Sequence, residues 1–340
     1  MEACPYQAVL IVSFGGPEGE QDVPGFLENV LRGRDVPRER MLEVAEHYRH
    51  FGGVSPINAQ NRALRAALEE ELRASGPALP VYLGNRNWHP LLPDTLRRMA
   101  GEGVKKALAF FTSAYSSYSS CRQYLENLEE ARRELGPTAP AIDRLRACYN
   151  HPGFLEPMAE QVRGALAELP EPRRQRALLL CTAHSIPRSM ADHCGYVSQL
   201  REAGRLVAEL AGHSRWELVY QSRSGPPHQP WLEPDVVDYL EQRAGELEDV
   251  LIVPIGFISD HIEVLFDLDH ECAERCRELG ISMRRLPTLG TDPRFVAMIG
   301  ELVRERIGWQ KERRALGLHG PSHDECPPGC CVGITSAVLP

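Results

Sequence analysis

The sequence predicts an α/β protein made of two lobes, each built on a Rossmann-like parallel sheet. Short runs of β-branched and aliphatic residues alternate with longer helical patterns, which is typical of βαβ units. A chain of 340 residues is long enough to form two such lobes. The predicted strands lie at residues 8–13, 81–84, 107–112, 177–182, 217–221, 250–255 and 282–286.

The intervening helices are predicted from apolar residues that recur on one face. Leu64, Leu68 and Leu72 form such a stripe, and the helical stretches with this periodicity are residues 61–74, 154–168 and 292–307. The alternation of strands and helices pauses after residue 112 and resumes near residue 177, and Pro170 and Pro172 mark a break in between. We therefore expect three parts: a first lobe over residues 1–150, a second lobe over residues 151–308 and a tail over residues 309–340.

Composition and charge argue against several classes of function. The chain has 38 basic and 47 acidic residues and a net charge of −9, so nucleic-acid binding has no electrostatic support. No apolar run approaches the roughly 20 residues that cross a bilayer, and the first residues do not follow the plan of a signal peptide. Neither a G-x-G-x-x-G sequence nor a P-loop is present. We expect a cytoplasmic protein with no transmembrane segment.

Two segments that follow predicted strands carry residues suited to proton and metal chemistry. His184 follows the strand at residues 177–182, and Asp260 and Glu263 follow the strand at residues 250–255. Because the carboxyl ends of parallel strands face the ligand crevice, we expect these side chains in one cleft. A neutral imidazole is both a base and a metal ligand, and a carboxylate can hold a hard cation. Insertion of a divalent metal into a tetrapyrrole needs both, because pyrrole protons leave as the metal sheds its waters.

The helix after the second segment carries a line of carboxylates. Glu263, Asp267 and Glu271 are spaced four residues apart, which places them along one face of a regular helix. Like charges at this spacing repel and cost stability unless cations, protons or solvent offset them. A solvated acidic face is the alternative. The position of the first turn at the end of a strand favours a functional site.

Several motifs together resemble those of the ferrochelatase family. They are Ser-Phe-Gly-Gly-Pro at 13–17, the segments at 51–57 and 115–119, Ala-His-Ser-Ile-Pro at 183–187, and the segments at 221–232 and 254–269. The likeness runs from about residue 8 to residue 307. The first-lobe motifs are most similar to the actinobacterial-type branch, whose members are generally coproporphyrin III ferrochelatases that make coproheme in haem biosynthesis.

The resemblance implies a chelatase fold that clamps the porphyrin between its lobes. It implies that His184 accepts pyrrole protons or ligates ferrous iron, with Glu263 facing it across the macrocycle. Asp260, Asp267 and Glu271 would form an acidic track for metal or proton traffic, on a helix that carries a π-type irregularity in the family. The porphyrin contacts expected by resemblance are Phe14, Arg32, Tyr48, Ser55 and Tyr118.

A basic segment in the first lobe bears on the choice of porphyrin. Residues 31–50 are short and cationic, whereas membrane-associated members of the family carry a longer apolar lip here. Coproporphyrin III has more propionates than protoporphyrin IX and needs more charge-assisted partners, for which arginine is well suited. Protoporphyrin IX remains the alternative substrate, and a solvated helix face accounts for some of the basic residues. The arginines concerned are Arg32, Arg34, Arg38, Arg40 and Arg49.

Three cysteines lie unusually close together in the tail. Cys326, Cys330 and Cys331 lie within six residues, in a segment with few apolar residues to pack. By resemblance, some ferrochelatases hold a [2Fe–2S] cluster with C-terminal cysteines and one distant cysteine, and Cys148 fits the distant position. Zinc with His323 as a further ligand is the rival, and thiols without a function are the third possibility.

Other functions remain open at this level. A chelatase for a different tetrapyrrole or metal is one, although such enzymes more typically use a pair of histidines. A haem-binding carrier on a chelatase fold is another, and the presence of both His184 and Glu263 argues against it.

Overall fold

A computed structural model describes residues 4–33, 38–226, 228–327 and 329–331. It contains two sheets of four parallel strands each, which confirms the predicted fold class. The first sheet has the order β2-β1-β3-β4, and the second has the order β6-β5-β7-β8. The strands are β1 (Ala8–Ser13), β2 (Val81–Asn85), β3 (Lys106–Phe111), β4 (Ala141–Arg144), β5 (Leu178–His184), β6 (Trp216–Gln221), β7 (Asp249–Val253) and β8 (Ser282–Arg285).

The strand that sequence reasoning missed is β4, at the edge of the first sheet. It has four residues and begins at the exposed Ala141, so neither its length nor its pattern stands out. Its pairing with β3 places Ala141 opposite Lys106 and Arg144 opposite Ala109. The other seven strands lie at the predicted positions to within a residue or two.

Helices flank both sheets and follow the predicted alternation. In the first half of the chain they are α1 (Val23–Leu31), α2 (Arg38–His50), α3 (Ile57–Ser75), α4 (Leu92–Gly101) and α5 (Gln123–Leu135). In the second half they are α6 (Pro152–Ala167), α7 (Glu171–Arg176), α8 (Arg188–Ala191), α9 (Tyr196–Ala211), α10 (Val236–Gln242), α11 (Ile262–Val264), α12 (Ala273–Glu278) and α13 (Pro293–Arg306). Short 3-10 turns span Glu20–Asp22 and Gly136–Thr138.

The apolar stripe of α3 is buried as predicted. Leu64, Leu68 and Leu72 are at most 1% exposed, and α3 packs against α13. A Cβ on Gly300 of α13 would lie 3.1 Å from the Glu71 side chain, so the small residue permits this approach. Because α13 follows the last strand of the second sheet, this packing joins the two halves of the chain.

Two stretches form π-helix, which is uncommon and often marks functional sites. The first, Tyr118–Arg122, is capped by the Ser117 hydroxyl, which accepts a hydrogen bond from the Ser120 amide at 3.1 Å. The second, Leu265–Cys272, continues from α11 into α12. This second stretch confirms the irregularity that the resemblance implies, and it shifts side chains away from the register of a regular helix.

Polar contacts fix the start of the tail against the body of the protein. The buried Asn150 donates from its side chain to the carbonyl of Gly320 at 2.7 Å, and its carbonyl accepts from the Leu316 amide at 2.8 Å. Arg146 donates to the carbonyl of Arg314 at 2.9 Å. This part of the tail is therefore held by hydrogen bonds to buried groups. Arg34 and residues 332–340 lie outside the described residues, and so does the side chain of Arg40.

No helix within the described ranges is long and apolar enough to cross a membrane.

Candidate active site

The ends of β5 and β7 meet because a glycine lets the backbones approach. The Gly256 amide donates to the Thr182 carbonyl at 3.0 Å. A Cβ at Gly256 would lie 2.7 Å from the Cα of Ala183, a distance that real Cβ atoms do not tolerate. His184, the last residue of β5, therefore lies beside the segment that leads to Glu263.

The backbone holds the His184 ring in one tautomer. Its Nδ1 is hydrogen-bonded to the carbonyl of Ser185, which can only accept, so Nδ1 carries the proton in the neutral ring. Nε2 is then the basic nitrogen. The Tyr196 hydroxyl donates to the His184 carbonyl at 3.0 Å and fixes the residue from the other side. This arrangement presents an imidazole lone pair to the cleft.

One carboxylate oxygen lies between two imidazoles. Oε2 of Glu263 is 3.7 Å from His184 Nε2 and 3.8 Å from His261 Nδ1. Burial lowers the pKa of His261, although the nearby Glu263 carboxylate opposes this effect. His261 was absent from the predicted set, yet its position between Asp260 and Glu263 in the sequence was a usable signal. These three groups can share a proton or a cation.

The distance between His184 and Glu263 bears on their predicted positions on opposite faces of the macrocycle, which stay a prediction. A planar ring needs about 3.5 Å of clearance on each face, or roughly 7 Å in all. The two side chains are 3.7 Å apart here, so one of them must move if a porphyrin is to lie between them.

Asp267 lies deeper along the same helix and is held by the end of β6. Gln221 Nε2 lies 3.4 Å from Asp267 Oδ2, and the Ser222 hydroxyl donates a short hydrogen bond to the same oxygen. Ser222 adopts a φ of 61°, which is uncommon outside glycine and points to a functional constraint. Burial raises the pKa of Asp267 to about 7, and the carboxylates of Glu263 and Glu271 add to the rise. Asp267 can thus gain and lose a proton near neutral pH.

Glu271 forms the outer part of the carboxylate line. Burial raises the pKa of Glu271, and the nearby Asp235 adds to the rise while His270 opposes it. The carboxylates of Glu263 and Glu271 thus both act on Asp267, and the role of the three in metal or proton traffic stays a prediction.

Asp260 does not belong to this line. Its Oδ1 accepts from Arg285 at 3.1 Å and from the Thr288 hydroxyl at 3.2 Å. Its backbone amide donates to Gln60 Oε1 of α3 at 2.8 Å. Asp260 thus pairs with Arg285 and links the lobes in this structure, and its predicted role in metal or proton traffic stays a prediction. Arg285 also pairs with Asp269, at 2.6 Å.

Further hydrogen bonds join the lobes around the site. The buried Tyr115 donates to the carbonyl of Ile255 at 3.0 Å. The Ser259 hydroxyl lies 3.3 Å from Asn61 Oδ1, and Asn61 donates to Ser13 at 2.7 Å. The site therefore lies where the two lobes meet, and these hydrogen bonds hold the lobes together beside it.

Aromatic side chains of the first lobe form a wall beside Glu263. Phe26 contacts Phe14 in an edge-on geometry at 6.2 Å, and its ring centroid is 5.5 Å from that of Tyr48. Tyr48 is buried, and burial raises its pKa, with a further rise from the Glu263 carboxylate. Two of the five predicted porphyrin contacts, Phe14 and Tyr48, thus belong to one cluster near the catalytic pair.

The other three predicted porphyrin contacts have partners outside this aromatic cluster. Ser55 is buried, and a Cβ at Gly16 would lie 2.7 Å from it, so the turn after β1 packs directly on this serine. Arg32 is exposed at the end of α1 and donates to Asn29 at 2.5 Å. Tyr118 donates to Glu126 at 2.9 Å.

Arg86 is a cleft cation that sequence reasoning missed. Its guanidinium lies 4.5 Å from the Tyr124 ring centroid and 5.7 Å from that of Phe14. Its position after β2, at the carboxyl edge of the first sheet, was the signal that could have identified it.

Two tail thiols and the imidazole of His323 lie close together. Ligand atoms of His323, Cys326 and Cys330 all lie within 4.8 Å of one another. Cys330 Sγ is 3.7 Å from Cys331 Sγ and 3.9 Å from His323 Nε2. Arg144 anchors this segment by donating to the carbonyls of His323 and Asp324 at 3.1 Å and 2.9 Å.

The distant thiol in this cluster is Cys121 and not Cys148. Cys121, in the π-helix Tyr118–Arg122, is hydrogen-bonded to Cys331, and this contact lowers the Cys121 pKa to about 7. Cys148 is buried in the core near Tyr115, where desolvation raises its pKa to about 12. The prediction for Cys148 is corrected because this thiol is buried in the core, and among the described residues the thiol that contacts Cys331 is Cys121. The sequence separation of Cys121 from the tail gave no signal of this contact.

Comparison with known proteins agrees with this geometry. A family model described as Ferrochelatase matches residues 6–307. A protein of Rhodopirellula baltica named Ferrochelatase is 58% identical over 334 residues, which cover 97% of this chain and 95% of the relative. A protein of Streptomyces coelicolor named Coproporphyrin III ferrochelatase is 51% identical, with 97% and 94% covered.

Solved structures show the same fold at much lower identity. SirB from Bacillus subtilis with Fe3+ has a TM-score of 0.54 at 11% identity and covers 89% of this chain and 98% of its own. This likeness supports the chelatase fold alone. The family match and the two relatives go further: the chain belongs to the ferrochelatase family, the lyases that insert metal into porphyrin.

Proposed function

We propose that this enzyme inserts ferrous iron into coproporphyrin III and so makes coproheme. The observation that carries the catalytic part is the 3.7 Å separation of His184 Nε2 and Glu263 Oε2 in the interlobe cleft. Support for the porphyrin comes from relatives at 50–51% identity that are named coproporphyrin III ferrochelatases. Protoporphyrin IX is the alternative substrate, since the relative at 58% identity is named only Ferrochelatase.

The proposed mechanism assigns proton acceptance to His184 and iron delivery to the adjacent Glu263. His184 Nε2 accepts a pyrrole proton while its Nδ1–H stays bonded to the Ser185 carbonyl, so the ring does not need to turn. Glu263 stabilises the imidazolium and can ligate the incoming iron. Asp267, with its pKa raised to about 7, can take the proton onward at neutral pH.

Propionate recognition is the part that selects the porphyrin. Arg32 is exposed at the end of α1 and can offer its remaining guanidinium hydrogens to a carboxylate, since it donates to Asn29 through one nitrogen. Phe14, packed edge-on against Phe26, offers an aromatic contact for the macrocycle, and the buried Tyr48 packs behind it on the same ring. Ser55 and Tyr118 stay in the proposal as further contacts.

The substrate proposal is tested by following the iron-dependent loss of free-porphyrin fluorescence under anaerobic conditions. Coproporphyrin III should be consumed faster than protoporphyrin IX. Arg32→Gln should raise KM for coproporphyrin III more than for protoporphyrin IX, whereas Arg97→Gln, at an exposed position on α4, should change neither. A preference for protoporphyrin IX would overturn the choice of porphyrin. No iron-dependent loss with either porphyrin would favour the haem-binding carrier.

We also propose that the tail holds a [2Fe–2S] cluster through Cys326, Cys330, Cys331 and Cys121. The donor set fits, because thiols from the tail and from the first lobe approach one another, with Cys121 in contact with Cys331 and Cys331 Sγ 3.7 Å from Cys330 Sγ. Such a cluster would link the tail to the π-helix Tyr118–Arg122. Zinc is the second candidate, because the His323, Cys326 and Cys330 ligand atoms lie within 4.8 Å of one another.

The cluster proposal is tested on anaerobically purified protein. Iron and acid-labile sulfide should each be present at about two per chain, with reddish-brown colour. Cys121→Ala should lose the colour, while Cys148→Ala, a matched change at another buried thiol, should keep it. A colourless protein with zinc bound would favour the His323 site. Colour lost in the Cys148 variant and kept in the Cys121 variant would restore the original prediction.

A further inference from the structure

Three imidazoles that the mechanism above does not use lie where the lobes meet. His47 and His50 are on α2 of the first lobe, and His270 is in the π-helix Leu265–Cys272 of the second. The His47 ring stacks on that of Phe266 with 3.7 Å between centroids and 8° between planes. The His50 ring centroid lies 4.3 Å from that of His270. Imidazoles from opposite lobes are thus paired across the edge of the cleft.

The pair of His50 and His270 differs from other histidines of the chain. His151, His193 and His213 each use a ring nitrogen in a hydrogen bond to backbone, at 3.1, 2.8 and 2.8 Å. Across the part of the chain that the structure describes, His50 and His270 have ring contacts but no hydrogen bond and no ion pair with a carboxylate. Their nitrogens are therefore available to an outside ligand.

The pair of His50 and His270 lies next to the line of carboxylates that leads to His184. His270 directly precedes Glu271, and the charge of its ring acts on the Glu271 carboxylate. From Glu271 the carboxylate line continues through Asp267 to Glu263 and His184. A cation held at the pair would therefore stand at the outer end of a path that leads to the porphyrin.

We propose that His50 and His270 form a capture site for a divalent first-row metal ion, which is Fe2+ in the reaction. Imidazole suits iron, cobalt, nickel and zinc, whereas magnesium and calcium prefer oxygen ligands, so the pair favours transition metals. The remaining coordination positions hold water, which keeps binding weak enough for release toward Glu271. That the captured ion is iron on its way to a porphyrin rests on the proposed function; the metal site itself does not.

The site is tested first by crystallography with Co2+ as the probe. Wild-type crystals soaked in Co2+ should show an anomalous peak about 2.1 Å from a nitrogen of each histidine, a usual metal–imidazole distance. His50→Phe preserves a ring beside Phe51 and His270 and removes both nitrogens, so its crystals should lack the peak. Absence of the peak in the wild type would overturn the proposal.

Kinetics then separate a capture role from simple ring packing. His50→Phe and His270→Phe should each raise KM for Fe2+ by roughly tenfold, equivalent to about 1.4 kcal/mol of binding. KM for the porphyrin should stay at the wild-type value, and His193→Phe, an exposed histidine of the second lobe, should leave both constants unchanged. If both phenylalanine variants keep the wild-type KM for Fe2+, the two histidines only pack against each other, and the capture role is overturned. If the wild type inserts no iron, the proposed function fails, and the cobalt experiment still decides the site.

Discussion

Asp267→Asn should stabilise the protein at alkaline pH even though it slows iron insertion. Asp267 is desolvated on the active-site helix, and its ionised form is disfavoured in the folded state. Asparagine has a similar shape and cannot ionise. Its amide oxygen can still accept the hydrogen bonds that Ser222 and Gln221 donate to Asp267. The substitution therefore removes the cost of a buried charge and retains the local contacts.

The magnitude follows from the pKa of Asp267. It is raised to about 7 in the folded protein, against about 3.9 in an unfolded chain. The folded state binds this proton more tightly than the unfolded chain does. The contribution of Asp267 to the free energy of unfolding is therefore largest below pH 4 and falls as the pH rises through 7. At about 1.36 kcal/mol per pH unit, the loss is about 1.5 kcal/mol at pH 5 and about 4 kcal/mol at pH 8.

Urea unfolding at pH 5 and pH 8 measures this difference. The gain in unfolding free energy for Asp267→Asn should be about 2–3 kcal/mol larger at pH 8 than at pH 5. Asp192→Asn, at the exposed C-terminal end of α8, should give the same change at both values. A gain for Asp267→Asn that does not depend on pH would refute the reasoning, and so would a loss of stability at pH 8.

Other substitutions probe the carboxylate line and its supports. Glu263→Gln should greatly lower turnover in the fluorescence assay, and Glu271→Gln should lower it modestly. Equal and small effects would mean that this face of the helix is only a solvated surface. Ser222→Ala removes a hydrogen bond that lowers the Asp267 pKa, so the pH of half-maximal rate should move upward, and an unchanged pH profile would exclude a positioning role. Tyr196→Phe removes the bond to the His184 carbonyl and should lower the unfolding free energy by about 1 kcal/mol, as read by urea unfolding; no change would mean that the bond contributes nothing.

The sequence predicted those features that depend on local pattern. Strand and helix periodicity gave seven of the eight strands, and it missed β4 because that strand is short and partly exposed. The order of strands and the rule for their carboxyl ends placed His184 and Glu263 in one cleft. The π-helix on the active-site helix came from the family resemblance, since no periodicity of a few residues distinguishes it from regular helix.

Features that depend on distant contacts could not be predicted in this way. Asp260 looks like a free carboxylate in sequence, and its neutralising partner Arg285 lies 25 residues further on, at the end of β8. Cys121 is far from the tail in sequence, and only the fold brings it to Cys331. The same holds for the 3.7 Å separation of His184 and Glu263, because the residues alone do not give the distance between two side chains.

The central claim is that His184 takes pyrrole protons during iron insertion, and single-turnover kinetics of His184→Ala with coproporphyrin III test it most directly. General-base loss typically costs 10² to 10⁴ in rate, so iron insertion should slow by roughly that factor. The porphyrin dissociation constant, measured by fluorescence on the same samples, should stay near the wild-type value. A variant that inserts iron at nearly the wild-type rate would contradict the account, and so would one whose slow insertion is explained by lost porphyrin binding.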